Sequence, residues 1–132
     1  MKHDNLRERT KQFALRIIRL VEKLPKGKSA DVIGRQLLRS GTSVAANYRA
    51  ACRAKSAADF ISKMGTVEEE TDESLFWMEL LIDAKLVNEG LLNDLAGEGE
   101  EILKIAVTSI KTTKETLRNG ANKACERDPA GQ

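Results

Sequence analysis

Histidine is almost absent from this sequence, and cysteine is scarce. The only histidine is His3, close to the N-terminus, and the two cysteines, Cys52 and Cys125, are far apart. A zinc site built from cysteine and histidine needs four ligands, and the histidine-containing di-iron sites of helical bundles need two histidines. A catalytic Ser-His or Cys-His pair also needs a well-placed histidine. We therefore predict no catalytic residues, no metal site and no cofactor, and we expect both cysteines to be free thiols.

Aromatic residues, prolines and long apolar runs are also few. Aromatic residues make up 4% of the chain, so the core must be aliphatic, and there are only two prolines. No apolar run approaches the roughly 20 residues that span a bilayer. The first eleven residues are polar and lack the apolar stretch of a signal peptide. We expect an all-α protein in the cytoplasm.

Charge is unevenly distributed along the chain, although the net charge is only +2. Residues 1–55 contain 14 Lys and Arg against 4 Asp and Glu, a net charge of +10. Residues 56–103 contain 2 against 13, a net charge of −11. This pattern has two explanations: the basic and acidic helices neutralise one another within or between subunits, or the basic half faces a polyanion.

The stretch from Lys28 to Lys55 predicts one long helix with two contrasting faces. Ser29 is a candidate N-cap, and Asp31 would suit the positive end of the helix dipole. At about 100° per residue, apolar side chains converge on one face, which should be core: Ile33, Leu37, Val44, Tyr48 and Ala51. Basic side chains converge on the opposite face: Lys28, Arg35, Arg39, Arg49 and Arg53. Small residues line one shoulder, where a second helix could approach closely: Gly34, Gly41, Ala45 and Cys52.

Three further helices are predicted on either side of this one. The first spans about 4–24, ends before Pro25, and carries Arg9, Arg16 and Lys23 at seven-residue spacing beside its apolar stripe. The third starts after a capping box at residues 56–59 and runs to about residue 86. The fourth follows an Asn88 N-cap, has an inner face that includes Leu91 and Thr116, and stops at residues 119–120. We predict a bundle domain over residues 1–120 and a disordered tail over residues 121–132.

Three large side chains of the third helix lie away from its apolar stripe. Phe76, Trp77 and Leu80 are roughly 100–200° from the centre of the stripe. They could be packed on a second side within their own subunit, or they could form an interface between subunits, where aromatic residues are enriched. Carboxylates on the same helix, such as Glu69 and Glu73, could bind Mg²⁺, but acidic helices more often pair with basic ones.

Two stretches carry a family resemblance. VIGRQLLRSGTSVAANYRAACRAKSAADFISKM at 32–64 and EEETDESLFWMELL at 68–81 resemble the four-helix-bundle proteins encoded in ribosomal RNA intervening sequences, the S23 family. The likeness covers roughly residues 5–118. It implies an antiparallel up-and-down four-helix bundle that assembles as a ring-like homopentamer. It also implies kinship with the accessory protein of diversity-generating retroelements, which binds nucleic acid and a reverse transcriptase. The family pattern Asn-Tyr-Arg-Glu-Ala is changed here, because Ala50 replaces the glutamate.

Two functions are consistent with these features. The first is a non-enzymatic, nucleic-acid-binding homo-oligomer whose arginines contact phosphates of structured RNA or of DNA. The second is a protein-interaction scaffold in which the arginines pair with the acidic third helix. Within the first reading, we expect Arg49 and Arg53 to form the structural pairs and Arg35 and Arg39 to contact phosphate. The full predicted nucleic-acid surface is Arg35, Arg39, Arg49, Arg53, Arg9, Arg16, Lys23 and Lys28.

Overall fold

Apolar positions at helical spacing build four α-helices in the structure, a computed structural model that describes the backbone of residues 2–127 and the side chains of residues 5–121. Over that range there is no strand, as the sequence predicts for an all-α chain. The helices are α1 (Lys2–Glu22), α2 (Lys28–Cys52), α3 (Ala57–Asp83) and α4 (Glu89–Arg127). The connections between them are only four or five residues long, so consecutive helices must pack side by side.

Two of the predicted helix starts are confirmed. At α3, the Ser56 hydroxyl accepts a hydrogen bond from the Asp59 backbone N–H at 3.0 Å. The Asp59 carboxylate reaches back to the backbone N–H of Lys55 at 3.1 Å, so two donors at the helix start are satisfied reciprocally. At α4, the Asn88 side-chain oxygen accepts a hydrogen bond from the Gly90 N–H at 2.9 Å.

Two predicted boundaries are wrong. Gly27, not Ser29, is the N-cap of α2, where its φ of 153° is a conformation that residues with a side chain rarely adopt. The stop predicted at residues 119–120 does not end α4, which continues to Arg127. A glycine inside an exposed helix costs only about 1 kcal/mol relative to alanine, and the residues that follow Gly120 are mostly compatible with a helix. Residues 128–132 of the predicted tail lie outside the described part of the chain.

The core is mainly aliphatic, with two buried aromatic rings, Phe13 and Tyr48, and draws residues from every helix. Phe13, Leu37, Met64 and Ile102 are among the side chains with no exposed surface. The α2 face predicted as core is largely confirmed, because Leu37, Val44, Tyr48 and Ala51 are buried and Ile33 packs against them. The predicted inner face of α4 is wrong at two positions: Leu91 is 75% exposed and Thr116 is exposed.

Close contacts fix how neighbouring helices pair. Gly34 of α2 lies against Val21 of α1 and against Leu24 just after the end of α1, and Gly41, one glycine further along α2, lies against Ile17. Backbones of α2 and α3, of α3 and α4, and of α1 and α2 pack extensively, whereas α1 meets α4 over a shorter stretch. Across the described residues, the backbones of α1 and α3 do not come within 8 Å of one another. These two helices therefore lie diagonally, separated by α2 and α4. No helix in the described part is long and apolar enough to cross a membrane.

Candidate nucleic-acid interface

The predicted arginine row, three residues of α2 and its C-cap Arg53, consists of two separate pairs. Arg35 and Arg39 are one turn apart, and Arg49 and Arg53 are one turn apart. At about 1.5 Å of rise per residue, roughly 15 Å of helix separates Arg39 from Arg49. The two pairs therefore meet different neighbours and must be considered separately.

Arg39 is held by the acidic helix α3. Its guanidinium forms ion pairs with Glu70, at 3.2 Å, and with Glu73. Glu73 also accepts a hydrogen bond from the indole N–H of Trp77 at 3.0 Å, so one carboxylate serves both side chains. The expectation that Arg49 and Arg53 pair with the acidic helix while Arg39 stays open is thus wrong. Helix register explains the difference, because the fold places Glu70 and Glu73 of α3 beside Arg39 and not beside Arg49.

Arg35 and Lys28 lie at the opposite end of α2 from Arg49. Arg35 forms an ion pair with Asp31, four residues earlier, at 2.8 Å. Both side chains are highly exposed, at 75% and 60%, so water screens this pair strongly. Lys28 and Arg35 line an open pocket with Pro25 and Lys26 at the turn between α1 and α2. These cations remain accessible, although Arg35 is partly neutralised.

Arg9 is occupied by a two-pronged ion pair across α1 and α4. Its Nη2 and Nε donate to the two carboxylate oxygens of Glu98 at 2.7 and 2.9 Å. About three quarters of each side chain is buried. This placement separates Arg9 from the predicted phosphate contacts and gives it a role in joining two helices whose backbones approach only briefly. The hydrogen bond from Arg9 lowers the pKa of Glu98, and its charge adds to the effect while burial opposes it.

The ion pair between Arg9 and Glu98 makes the free energy of unfolding depend on pH in the acid range. Because the folded-state pKa of Glu98 lies below the ordinary value of 4.5, its contribution is complete above about pH 4.5 and is lost as pH falls through the lower folded value. We expect Glu98→Gln to lower the free energy of unfolding by about 1–3 kcal/mol at pH 7. The variant should also lose less stability than wild type on going from pH 5 to pH 3. Denaturant unfolding at both pH values measures this, with the exposed Glu100→Gln as control. Parallel pH profiles for wild type and Glu98→Gln would contradict it.

Arg16 lies on α1 beside α4, and Lys23 lies directly after the end of α1. With Arg19, they line a groove of about 410 Å³ whose apolar wall includes Leu20 and Leu91. Arg16 is partly buried, and its charge contributes to lowering the pKa of Glu98. The groove reaches the turn between α1 and α2, whereas Arg49 is near the other end of α2. The predicted basic residues therefore do not share one surface.

Arg49 and Arg53 lie in an open basic pocket where α2 turns into α3. The pocket has a volume of about 650 Å³ and is lined by Arg49, Arg53, Lys55, Lys63, Asp59, Ala46 and Ala50. We call its four cations, Arg49, Arg53, Lys55 and Lys63, the Arg49 cluster. Ala46 and Ala50 have short side chains, which leaves space between the long side chains of the cluster for a bound group.

The single carboxylate of this pocket is already engaged. Asp59 accepts hydrogen bonds from the Lys55 backbone N–H and, at 3.2 Å, from the Lys63 ammonium, and both lower its pKa. Among the described residues, neither Arg49 nor Arg53 forms an ion pair. Sequence reasoning missed Lys55 and Lys63. The capping box at residues 56–59 was the available signal, because it starts α3 after a connection of only four residues from the end of α2 and so keeps Lys63 close to that end.

Comparison with known proteins places this geometry in a family. Residues 3–108 match the family described as 23S rRNA-intervening sequence protein. The chain belongs to this family. A crystal structure at 1.70 Å of a protein of unknown function from the S23 ribosomal protein family, from Bacteroides thetaiotaomicron VPI-5482, has the same fold, with a TM-score of 0.79. The two sequences are 35% identical, and the similarity covers 84% of this chain and 99% of the other. A search among curated proteins found no match.

In this member of the 23S rRNA-intervening sequence family, the three side chains predicted as an interface have different surroundings. Phe76 is 48% exposed, with its ring edge against Trp77 at a centroid distance of 5.1 Å. Trp77 packs against the core of its own chain, and Leu80 is partly buried. Phe76 is therefore the member of this set best placed to contact another molecule.

Cys52 does not pack on the small-residue shoulder of α2 as predicted. The side chain is exposed as a free thiol, and the neighbouring Ala51 is buried instead. The shoulder is made by Gly34 and Gly41, which are both buried against α1. The side chain of Cys125 lies outside the described residues.

Proposed function

We propose that this chain is a non-enzymatic nucleic-acid-binding protein that acts as a homo-oligomer, with structured RNA as its preferred ligand. The observation that carries the proposal is the Arg49 cluster, in which two arginines one turn apart are open and free of ion pairs among the described residues. Arginine presents a planar set of donors that matches phosphate oxygens, and lysine adds positive charge. The proposed contacts are therefore with the phosphate backbone.

Contacts of this kind explain affinity better than sequence preference. Phosphate contacts position a protein on nucleic acid but carry no base information. The pocket itself contains no aromatic side chain on which an unpaired base could stack. Both points favour a folded RNA, in which phosphates are held at fixed spacing, over an extended single strand. Lys28 and Arg35, at the other end of α2, are secondary candidates because they remain exposed.

The proposed assembly is an antiparallel up-and-down four-helix bundle in a ring, with five copies as the family resemblance implies. The short connections and the opposite order of contacts along α1 and α2, Val21 with Gly34 and Ile17 with Gly41, support the antiparallel arrangement. Symmetric copies would multiply a weak single-site contact into useful avidity. A reverse transcriptase as partner, and a cytoplasmic location, remain predictions from the sequence.

The alternative is a protein-interaction scaffold with no nucleic-acid ligand. It is favoured by the engagement of Arg39 with Glu70 and Glu73 and of Arg9 with Glu98, because these pairs consume part of the basic set. The Arg49 cluster is the part of the predicted surface that this alternative leaves without a role.

Binding to a folded RNA hairpin, measured by fluorescence anisotropy at several salt concentrations, distinguishes the two. Nucleic-acid binding predicts that the logarithm of the affinity falls linearly with the logarithm of the salt concentration. The slope should be about 0.7–0.9 for each phosphate contact. A duplex DNA of matching sequence tests the RNA preference, and a heparin column gives an independent reading. Absence of binding to RNA, DNA and heparin at 50 mM salt, by an oligomer of verified size, would favour the scaffold.

A further inference from the structure

The outward face of α3 carries an unpaired acidic stripe with an aromatic residue at its centre. Every third or fourth residue along it is exposed, and we call this set the α3 stripe: Glu69, Asp72, Phe76, Glu79 and Asp83. Within the described residues, none of its four carboxylates forms an ion pair. The stripe thus combines an exposed ring with four uncompensated negative charges on one side of one helix.

A second unpartnered surface has the opposite charge. The groove between α1 and α4, which we call the Leu91 groove, has Arg16, Arg19 and Lys23 on one side. Leu91 stands in it with 75% of its surface exposed, and the α3–α4 turn closes one end. An exposed leucine with three cations along one side of its groove is a surface that fits an acidic, partly apolar helix.

The two surfaces lie on different sides of the molecule. The α3 stripe is on α3, and the cations of the Leu91 groove are on α1 or, for Lys23, directly after its end. Helix α1 is the diagonal neighbour of α3 in the fold. One chain therefore cannot bring its own stripe to its own groove. Two copies can make this contact. One copy then still has a free groove and the other a free stripe, so a further copy can bind to each.

We propose that the α3 stripe of one copy docks in the Leu91 groove of a second copy. Phe76 would contact Leu91, while the stripe carboxylates would face Arg16, Arg19 and Lys23. Such a head-to-tail interface generates a ring when its rotation closes and a filament when it does not. This inference rests on the homo-oligomer of the proposed function and specifies its interface. It also removes Arg16 and Lys23 from the nucleic-acid surface.

Charge reversal tests both sides of the interface independently. The stripe variant is Asp72→Lys/Glu79→Lys, and the groove variant is Arg19→Glu/Lys23→Glu. Each should shift the wild-type oligomer toward monomer in sedimentation velocity at moderate salt. The control is Lys111→Glu/Lys114→Glu on the distal part of α4, which makes the same charge change as the groove variant and should leave the oligomer unchanged. Circular dichroism confirms that each variant is folded.

Mixing the two reversed variants gives the most specific result. The intact stripe of the groove variant meets the intact groove of the stripe variant, and the two reversed surfaces are also complementary. An equimolar mixture should therefore recover assemblies that neither variant forms alone. If a reversed variant fails to fold, Leu91→Ser and Phe76→Ser provide the same test, because both side chains are exposed in the single chain.

The outcomes separate this inference from the proposed function. An oligomer that survives both reversals, or reversed variants that do not associate on mixing, would overturn the head-to-tail docking. A monomeric wild-type chain would overturn it as well, together with the homo-oligomer of the proposed function. RNA binding that depends on the Arg49 cluster would stand in each of these cases, because no substituted residue belongs to that cluster.

Discussion

Replacing Gly41 by leucine is expected to lower the free energy of unfolding by about 1–3 kcal/mol, although leucine has the better helix propensity. A Cβ at this position would overlap Ile17 Cδ1 and would lie 3.1 Å from Ile17 Cγ2. Ile17 is fully buried, so it has little room to move away. Leucine would therefore force α1 and α2 apart or push Ile17 into a strained rotamer. Urea unfolding at fixed protein concentration measures the change.

Gly97→Ala provides the matched control for this prediction. Gly97 is an exposed helical glycine with no atom within 4 Å of a built Cβ. Alanine there should stabilise the protein by about 0.5–1 kcal/mol, because it restricts the unfolded chain and favours the helix. A Gly41→Leu variant as stable as wild type would mean that α1 and α2 do not make the contact between Gly41 and Ile17.

Removing the two open arginines of the Arg49 cluster is expected to produce the largest functional loss. Arg49→Ala/Arg53→Ala deletes two charge-assisted contacts per engaged subunit, each of which typically contributes about 1.5–3 kcal/mol. RNA affinity should therefore fall by at least about a hundredfold, since two contacts contribute at least about 3 kcal/mol and about 1.4 kcal/mol corresponds to one factor of ten. Stability should change little, because both side chains are exposed and make no ion pair within the described residues.

The Arg35→Ala/Arg39→Ala variant separates phosphate contact from structural pairing on the same helix. Its charge change is identical. Because Arg39 is held by Glu70 and Glu73, this variant should lose stability or assembly more than RNA affinity. A loss of RNA affinity equal to that of the Arg49 pair would instead support the original prediction that Arg35 and Arg39 contact phosphate.

The helices and most of the core could be predicted from the sequence because they depend on local patterns. The Ser56 cap, the Asn88 cap and the buried face of α2 all follow from residues within a few positions of one another. Helix ends were less predictable. The structure ends α3 at Asp83, where the Leu86 N–H bonds to the Leu81 carbonyl and Lys85 adopts a φ of 59°. Glycine is the usual residue in that left-handed position, so a lysine there gives no sequence signal.

The functional surface was only partly predictable, because ion pairing depends on helix register. A helical projection places Arg35, Arg39, Arg49 and Arg53 on one side of α2, but it cannot show which carboxylates of another helix lie opposite. Arg9 illustrates the same limit, since its partner Glu98 is 89 residues away. Lys63 joins the Arg49 cluster only because the first turns of α3 pack beside the end of α2. Charge segregation was visible in the sequence, while its division into paired and open cations required the fold.

The most direct test of the central claim is the salt dependence of RNA binding by wild type and by Arg49→Ala/Arg53→Ala, after the two oligomers are shown to have the same size. If the Arg49 cluster binds phosphate, the slope of log affinity against log salt should become shallower by about 1.4–1.8 per engaged subunit, for two lost contacts. Equal affinities and equal slopes would contradict the account and would exclude the Arg49 cluster from the RNA-binding surface.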